Sequence, residues 1–251
     1  GVFRIVSIGG STTYSAGVED YRLSYPDQLA IALQEAGYTN VEVINAGVFR
    51  YASLENLINF ELRILELDPD LVIVYEGINE VATRIIWPYS FYRGDLSGFE
   101  SRVLSADPPW WENITLVRAA LVYTHRTESH ISLQRNFMRF TGAYLGNNFS
   151  TQNLQGVYPQ APFDKQSADE ILATNRPIYY ERNLRTLVAI AEAHRVDVLL
   201  LTFTYAPDFP EEPGAWTEEY IAAYAEQNDV LRQIAASTSA YLFDFAEVMP
   251  Q

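Results

Sequence analysis

The chain has 251 residues, a length that suits one large domain, and it carries 17 basic against 32 acidic residues, with Lys165 as its single lysine. A formal net charge of −15 repels phosphate backbones and anionic headgroups, which argues against nucleic acid as a partner. The absence of cysteine excludes disulfides and thiolate metal sites but leaves the compartment open.

Short β-branched segments alternate with helical patterns along most of the chain. Nearly continuous apolar runs predict five buried strands, at Phe3 to Ile8, Val41 to Asn45, Leu71 to Tyr75, Val196 to Phe203 and Tyr241 to Phe245. Helical patterns lie between them, near Tyr25 to Ala36, Ser53 to Leu67, Arg176 to His194 and Thr217 to Ala236. This alternation predicts a parallel sheet with right-handed crossovers in a three-layer α/β/α domain.

Residues 83 to 175 interrupt the alternation after the third strand. They contain three of the four tryptophans, two of the three histidines and an apolar helical pattern from about Ile114 to Tyr123. We expect a large aromatic-rich insertion within a single domain spanning residues 1 to 251. The insertion is either a subdomain with its own small core or a lid whose aromatic side chains line an acyl pocket.

Residues with useful chemistry follow each of the first three strands. Ser11 lies in "GGST", Gly47 in "NAGV" and Asn79 in "EGINE". Because ligands bind beyond the carboxyl ends of parallel strands, we expect these three residues to surround one small cavity. A serine hydroxyl there can attack a carbonyl while N–H groups hold the oxyanion. Taken singly, the residues also fit a helix cap or phosphate-cradling turn, a turn glycine and an Asx turn.

With these motifs in this order, the sequence resembles the SGNH hydrolases, also called the GDSL-type esterases and lipases. The resemblance rests on "IGGST", "INAGV" and "YEGINE" and covers nearly the whole chain except the insertion. It implies a flavodoxin-like sheet of order 2-1-3-4-5 and an esterase or acyltransferase activity. It also implies that Ser11 is the nucleophile, and that the N–H groups of Ser11 and Gly47 form the oxyanion hole with the Asn79 side chain. Gly10 and Glu80 stand where aspartate is common in the family.

The fourth motif of that family is an aspartate followed three residues later by the base histidine, and this chain has no Asp-x-x-His. The sequence ends at "FDFAEVMPQ", close to the end of the fifth strand, so we expect the motif to lie beyond Gln251. His125 and His130 of the insertion are weaker candidates for the base. His194 is typical of a cationic group at a helix C-terminus.

The leading hypothesis is a carboxylic ester hydrolase that acts through a covalent acyl-enzyme on a small ester, such as an acetylated sugar or a lipid-like ester. The alternatives are an O-acyltransferase with the same groups and a catalytically incomplete binding domain. A nucleotide or flavin binder is disfavoured because "GGSTT" is too short for a P-loop and lacks its lysine. We predict no cofactor and no metal, and the lack of an apolar run of about 18 residues predicts no membrane-spanning segment.

Overall fold

A five-stranded parallel sheet organises the chain. The computed structural model describes residues 1–86, 92–95, 114–124, 157–158, 166–205 and 218–249. Its strands are β1 (Phe3–Gly9), β2 (Val41–Asn45), β3 (Leu71–Tyr75), β4 (Val157–Tyr158), β5 (Gln166–Ser167), β6 (Asp197–Leu201) and β7 (Tyr241–Phe243). The sheet order is β2-β1-β3-β6-β7, and β4 pairs with β5 in a separate antiparallel hairpin. Counting only the strands of the large sheet, the order is 2-1-3-4-5, which confirms the predicted flavodoxin-like sheet.

Helices connect the strands much as the sequence predicts. They are α1 (Ser11–Tyr14), α2 (Tyr25–Glu35), α3 (Ser53–Asn59), α4 (Ile78–Ile86), α5 (Thr115–Tyr123), α6 (Ala168–Thr174), α7 (Ile178–His194), α8 (Glu218–Ser237) and α9 (Phe245–Val248). A π-helical turn, Phe60–Ile64, and a 3₁₀ turn, Leu65–Leu67, extend α3 to the predicted end. Asp68 then adopts a left-handed conformation before Pro69, which stops the helix.

The sheet lies between two helical layers. One apolar core joins β1, β3 and β6 to the helices α3, α7 and α8, through residues such as Val6, Phe60, Val72, Leu187 and Ile234. The strands β2 and β3 flank β1 on opposite sides, so right-handed crossovers place α2 on the other face of the sheet from α7 and α8. This arrangement confirms the three-layer α/β/α class.

Strand β6 corresponds to the strand predicted at Val196 to Phe203 and is shorter than predicted, because its carboxyl end leaves the sheet. The backbone N–H of Phe203 donates to Asn228 Oδ1, and Asn228 Nδ2 donates to the carbonyl of Phe203, both at 2.8 Å. A side chain of α8 thus replaces the neighbouring strand as hydrogen-bond partner. The last strand also ends early, at Phe243, and Asp244 there accepts hydrogen bonds from Thr202 and Arg232.

Most of the insertion predicted over residues 83 to 175 lies outside the described residues, so both interpretations of it stay predictions. Two described parts pack against the domain. Ile171 of α6 belongs to a buried cluster with Tyr220 and Tyr224 of α8, and Tyr92 meets the ring of Tyr179 edge to face at 4.9 Å. Over the ranges that the structure describes, we find no helix long and apolar enough to cross a membrane.

Candidate functional site

Ser11 lies at the carboxyl edge of the sheet, directly after β1. Gly10 separates it from the strand and forms the N-cap of α1, and its carbonyl accepts from Tyr14 N at 2.9 Å. The Thr13 hydroxyl donates to the carbonyl of Tyr75 at 3.2 Å, which ties α1 to the end of β3. Ser11 is half-buried, and its hydroxyl makes no hydrogen bond to another described residue. The turn therefore fixes the position of Ser11 and leaves its hydroxyl without a hydrogen bond to the described residues around it.

The Asn79 amide approaches the same turn from the first turn of α4, which follows β3. Its Nδ2 donates to the carbonyl of Tyr51 at 2.8 Å. A Cβ on Gly10 would lie 2.5 Å from Asn79 Nδ2 and 2.9 Å from Tyr51 O, so this amide touches the backbone beside Ser11 because residue 10 has no side chain. Ser11, Tyr51 and Asn79 line one small cleft that encloses about 10 Å³, close to the room that one water molecule needs.

Gly47 lies apart from this cleft. Its N–H donates to Asn45 Oδ1 at 3.0 Å, and a Cβ on Gly47 would lie 2.3 Å from Tyr14 N and 2.6 Å from the carbonyl carbon of Thr13. Gly47 therefore packs against the helix that begins with Ser11 but does not line the cleft. The structure brings two of the three predicted residues together, and the role of the Gly47 N–H stays a prediction.

Of the three histidines, His194 is the one that lies among the described residues. His194 is the exposed last residue of α7, whose C-terminus leads into the amino end of β6. That end lies at the edge of the sheet opposite to Ser11. His125 and His130 lie outside the described residues. Within the described ranges, no group of three or more histidine, aspartate or glutamate side chains is placed to hold a metal ion.

Two buried carboxyl groups flank Asn79, and the sequence analysis did not single out their role. The side chains of Glu76 and Glu80 are only 6% and 1% exposed, although both residues line the cleft. Glu76 Oε1 accepts from Asn56 Nδ2 at 2.6 Å, and the Glu80 carboxylate accepts from the backbone N–H of Ser53. Both carboxyls thus bind the start of α3.

Burial makes both carboxyls of this pair weaker acids than usual. Removal from water raises the pKa of Glu80 to about 8, and its hydrogen bonds with Ser53 and the charge of Arg84 only partly offset that effect. For Glu76, burial and then the charge of Glu80 raise the pKa well above the ordinary range of a carboxyl. At neutral pH the pair therefore holds at least one proton.

The motif "EGINE" contains a signal for this pair, namely two glutamates four residues apart with Asn79 between them. Glu76 precedes α4 and Glu80 lies in its first turn, and burial together with the like charge of the neighbour keeps the pair partly neutral. The hydrogen-bond partners of the pair, Ser53 and Asn56, lie at least 20 positions earlier in the chain and meet the pair only in the folded protein. Sequence alone therefore gives the spacing but not the burial.

Comparison with known proteins gives similarities of fold. No family model matches the sequence, and no curated protein matches it. Among solved structures, the chain is similar to AlinE4, an SGNH-hydrolase family esterase, at 16% identity over 98% of this chain and 77% of that one, with a TM-score of 0.46. It is similar to the acetyl xylan esterase AlAXEase at 15% identity over 98% and 78%, with a TM-score of 0.47. LAE5, an alpha/beta hydrolase enzyme from the metagenome of Lake Arreo, Spain, aligns at 16% identity over 96% and 76%, with a TM-score of 0.49.

Proposed function

We propose that this chain carries the site of a serine-dependent ester hydrolase, with Ser11 as nucleophile and Asn79 as oxyanion donor. The observation that carries the proposal is the cleft at the carboxyl edge of the sheet. It combines an unengaged serine hydroxyl on a strand-to-helix turn with a neutral side-chain amide that touches the adjacent backbone. Such a pair supplies the attacking group and the charge-stabilising group that acyl transfer needs.

The chemistry follows from these groups. Ser11 Oγ attacks the acyl carbon, and the negative charge that develops on the carbonyl oxygen is held by N–H donors, namely Asn79 and the backbone N–H of Ser11. The alcohol then leaves, the acyl group remains on Ser11, and water releases it as a carboxylic acid in a second step. A base takes the proton of Ser11 as the new bond forms and returns it to the oxygen of the departing alcohol; in the second step it takes a proton from the attacking water and returns it to Ser11 Oγ. His194 lies at the wrong edge of the sheet for this role.

The experiment is acylation by p-nitrophenyl acetate, followed by intact mass and peptide mapping. An acetyl group is small enough for a narrow cleft, and the single lysine of the chain keeps background acetylation low. We expect one acetyl group on Ser11 and release of p-nitrophenol, both lost in Ser11→Ala. The matched control is Ser15→Gly, because Ser15 is the next serine along the chain and its left-handed backbone suits glycine.

Acetylation of the Ser11→Ala variant at the wild-type rate would overturn the proposal. Replacing His125, His130 and His194 singly by alanine tests the base. We expect His194→Ala to leave the rate unchanged, since an exposed side chain at the opposite edge cannot take the proton. Transfer of the acetyl group to an added alcohol, in preference to water, would identify an acyltransferase that uses the same serine.

A further inference from the structure

Residues 76 to 80, which span the end of the loop after β3 and the start of α4, are joined by three hydrogen bonds to residues 51 to 56 around the start of α3. Asn79 Nδ2 donates to Tyr51 O, Ser53 N donates to the Glu80 carboxylate, and Asn56 Nδ2 donates to Glu76 Oε1. A fourth bond, from Asn183 Nδ2 to Ser53 Oγ at 2.9 Å, holds α3 against α7. We call the three bonds between these two segments the clasp; its residues are Tyr51, Ser53, Asn56, Glu76, Asn79 and Glu80.

If both carboxyls are ionised, the clasp lacks a proton that could serve as hydrogen-bond donor to its buried acceptor atoms. Glu76 Oε2 and Asn56 Oδ1 are buried and have no hydrogen-bond partner in the part of the chain that the structure describes. Both atoms are acceptors, and a buried acceptor without a donor costs free energy. A proton on Glu76 turns its carboxyl into a donor and removes the like-charge repulsion with Glu80.

Arg84, a nearby cation, offsets the burial of Glu80 only in part. The buried guanidinium of Arg84 donates to the carbonyl of Asn175 at 2.6 Å and to the carboxylate of Glu226, so α8 already engages its charge. The groups that face the pair from the surrounding elements are Glu55 of α3, Arg84 of α4, Tyr180 of α7 and Tyr92 of the segment 92–95, with Glu226 of α8 behind Arg84. Glu55 adds negative charge, and the two tyrosines are neutral because burial raises the pKa of each.

We propose that Glu76 and Glu80 are positioning residues, which share a proton and thereby hold the Asn79 amide against Gly10 beside Ser11. The two carboxyls bracket Asn79 in the sequence, and each binds the segment whose Tyr51 carbonyl orients that amide. When the pair loses its last proton, two adjacent buried charges push residues 76 to 80 away from α3. The amide then leaves the place where an oxyanion forms. This inference rests on the proposed ester hydrolase function.

The test follows the rate of Ser11 acylation by p-nitrophenyl acetate across pH, after subtraction of the Ser11→Ala rate. We expect the wild-type rate to fall above about pH 8, because burial raises the pKa of Glu80 to about 8 and that of Glu76 well above its ordinary range, so the pair loses its last proton only in alkaline solution. Glu80→Gln keeps an oxygen for the Ser53 N–H without a charge, so it should retain the neutral-pH rate and lose the alkaline fall. Glu80→Ala removes the bond and should lower kcat at every pH while leaving KM nearly unchanged.

The matched control is Glu61→Gln, which removes the same charge from an exposed position in the extension of α3. It should behave as the wild type. An alkaline fall that persists unchanged in Glu80→Gln, or equal rates in Glu80→Gln and Glu80→Ala, would overturn the positioning role.

A second measurement separates this inference from the proposed function and needs no activity. Hydrogen exchange of the Ser53 amide, corrected for the intrinsic effect of pH, should lose protection above about pH 8 in the wild type and keep it in Glu80→Gln. If this occurs while Ser11 is never acylated, the clasp is real and the hydrolase proposal fails. If Ser11 is acylated but exchange of Ser53 is the same in both proteins, the clasp inference fails alone.

Discussion

At the scale of single residues, the site depends on a contact that only glycine permits. The Asn79 amide occupies the space that a side chain at position 10 would fill, so the amide and Ser11 meet across a bare backbone. The resemblance to the SGNH hydrolases draws attention to Gly10 because many members carry aspartate there. In this chain a side chain at position 10 would have to displace either Asn79 or the Tyr51 carbonyl.

We predict that Asn79→Ala lowers the rate of Ser11 acylation by about 100- to 1000-fold, the usual loss for one oxyanion donor. Gly10→Ala should lower it by roughly tenfold or more by displacing the amide, since small misplacements of catalytic groups are costly. If Gly10→Ala acts through Asn79, it should have almost no further effect in the Asn79→Ala protein. Additive losses in the double variant, measured by stopped-flow release of p-nitrophenol, would show that the two residues act independently.

The sequence could predict where Ser11 and Asn79 lie because each follows a strand with a clear apolar pattern. The carboxyl ends of parallel strands meet at one edge, and this rule needs no knowledge of loop structure. Gly47 also follows its strand, but the path of the loop from Asn45 to Tyr51 decides which of its groups reach the cleft. The contribution of Tyr51 is a backbone carbonyl, which any residue type supplies, so no sequence pattern could reveal it.

At the scale of elements, strand and helix centres follow from apolar periodicity, while their ends depend on partners distant in sequence. The strand pattern from Val196 to Phe203 is continuous, yet β6 ends at Leu201. Asn228, which is separated from Phe203 by 25 positions, takes over both backbone groups of that residue. The pattern of apolar residues reports burial, and burial continues past the point where the sheet hydrogen bonds stop.

We predict that Asn228→Ala destabilises the domain by about 2 to 4 kcal/mol, because it leaves a buried N–H and a buried carbonyl without partners. Asp229→Ala removes a mostly exposed ion pair with Arg232 and should change stability by less than about 0.5 kcal/mol. Urea denaturation of both variants measures the difference. Equal free energies of unfolding would mean that Phe203 finds other partners at little cost.

At the scale of the whole molecule, the acidic excess of the chain is unevenly distributed. Among the residues that the structure describes, most carboxyls reach solvent, whereas Glu76 and Glu80 are buried together at the cleft. An interior of this kind costs stability, since apolar side chains of similar size would pack there without charge. The cost is concentrated where the candidate site lies, which is typical of residues kept for the geometry of a site rather than for the stability of the fold.

The buried pair should make stability depend on pH in a defined direction. The folded-state pKa of Glu80, about 8, lies above its ordinary value of 4.5, so between these values the unfolded chain has lost the proton that the folded chain retains. The contribution of the pair to the free energy of unfolding should therefore be highest below about pH 4.5 and fall as pH rises to about 8. The ion pair of Asp244 and Arg232 acts in the opposite sense. It lowers the pKa of Asp244, so its contribution to stability is lost as pH falls through the acidic range.

We therefore predict that Glu80→Gln stabilises the protein by roughly 2 kcal/mol more at pH 8 than at pH 5, since one pKa unit corresponds to about 1.4 kcal/mol and Glu76 shares the titration. Glu61→Gln makes the same change in net charge at an exposed position, so it measures the general benefit of removing one negative charge from an acidic protein. Denaturant unfolding of the wild type and both variants at the two pH values gives the comparison. The same pH dependence in Glu80→Gln as in Glu61→Gln would mean that Glu80 is ionised in the folded protein, and the shared proton would then have no role in its stability.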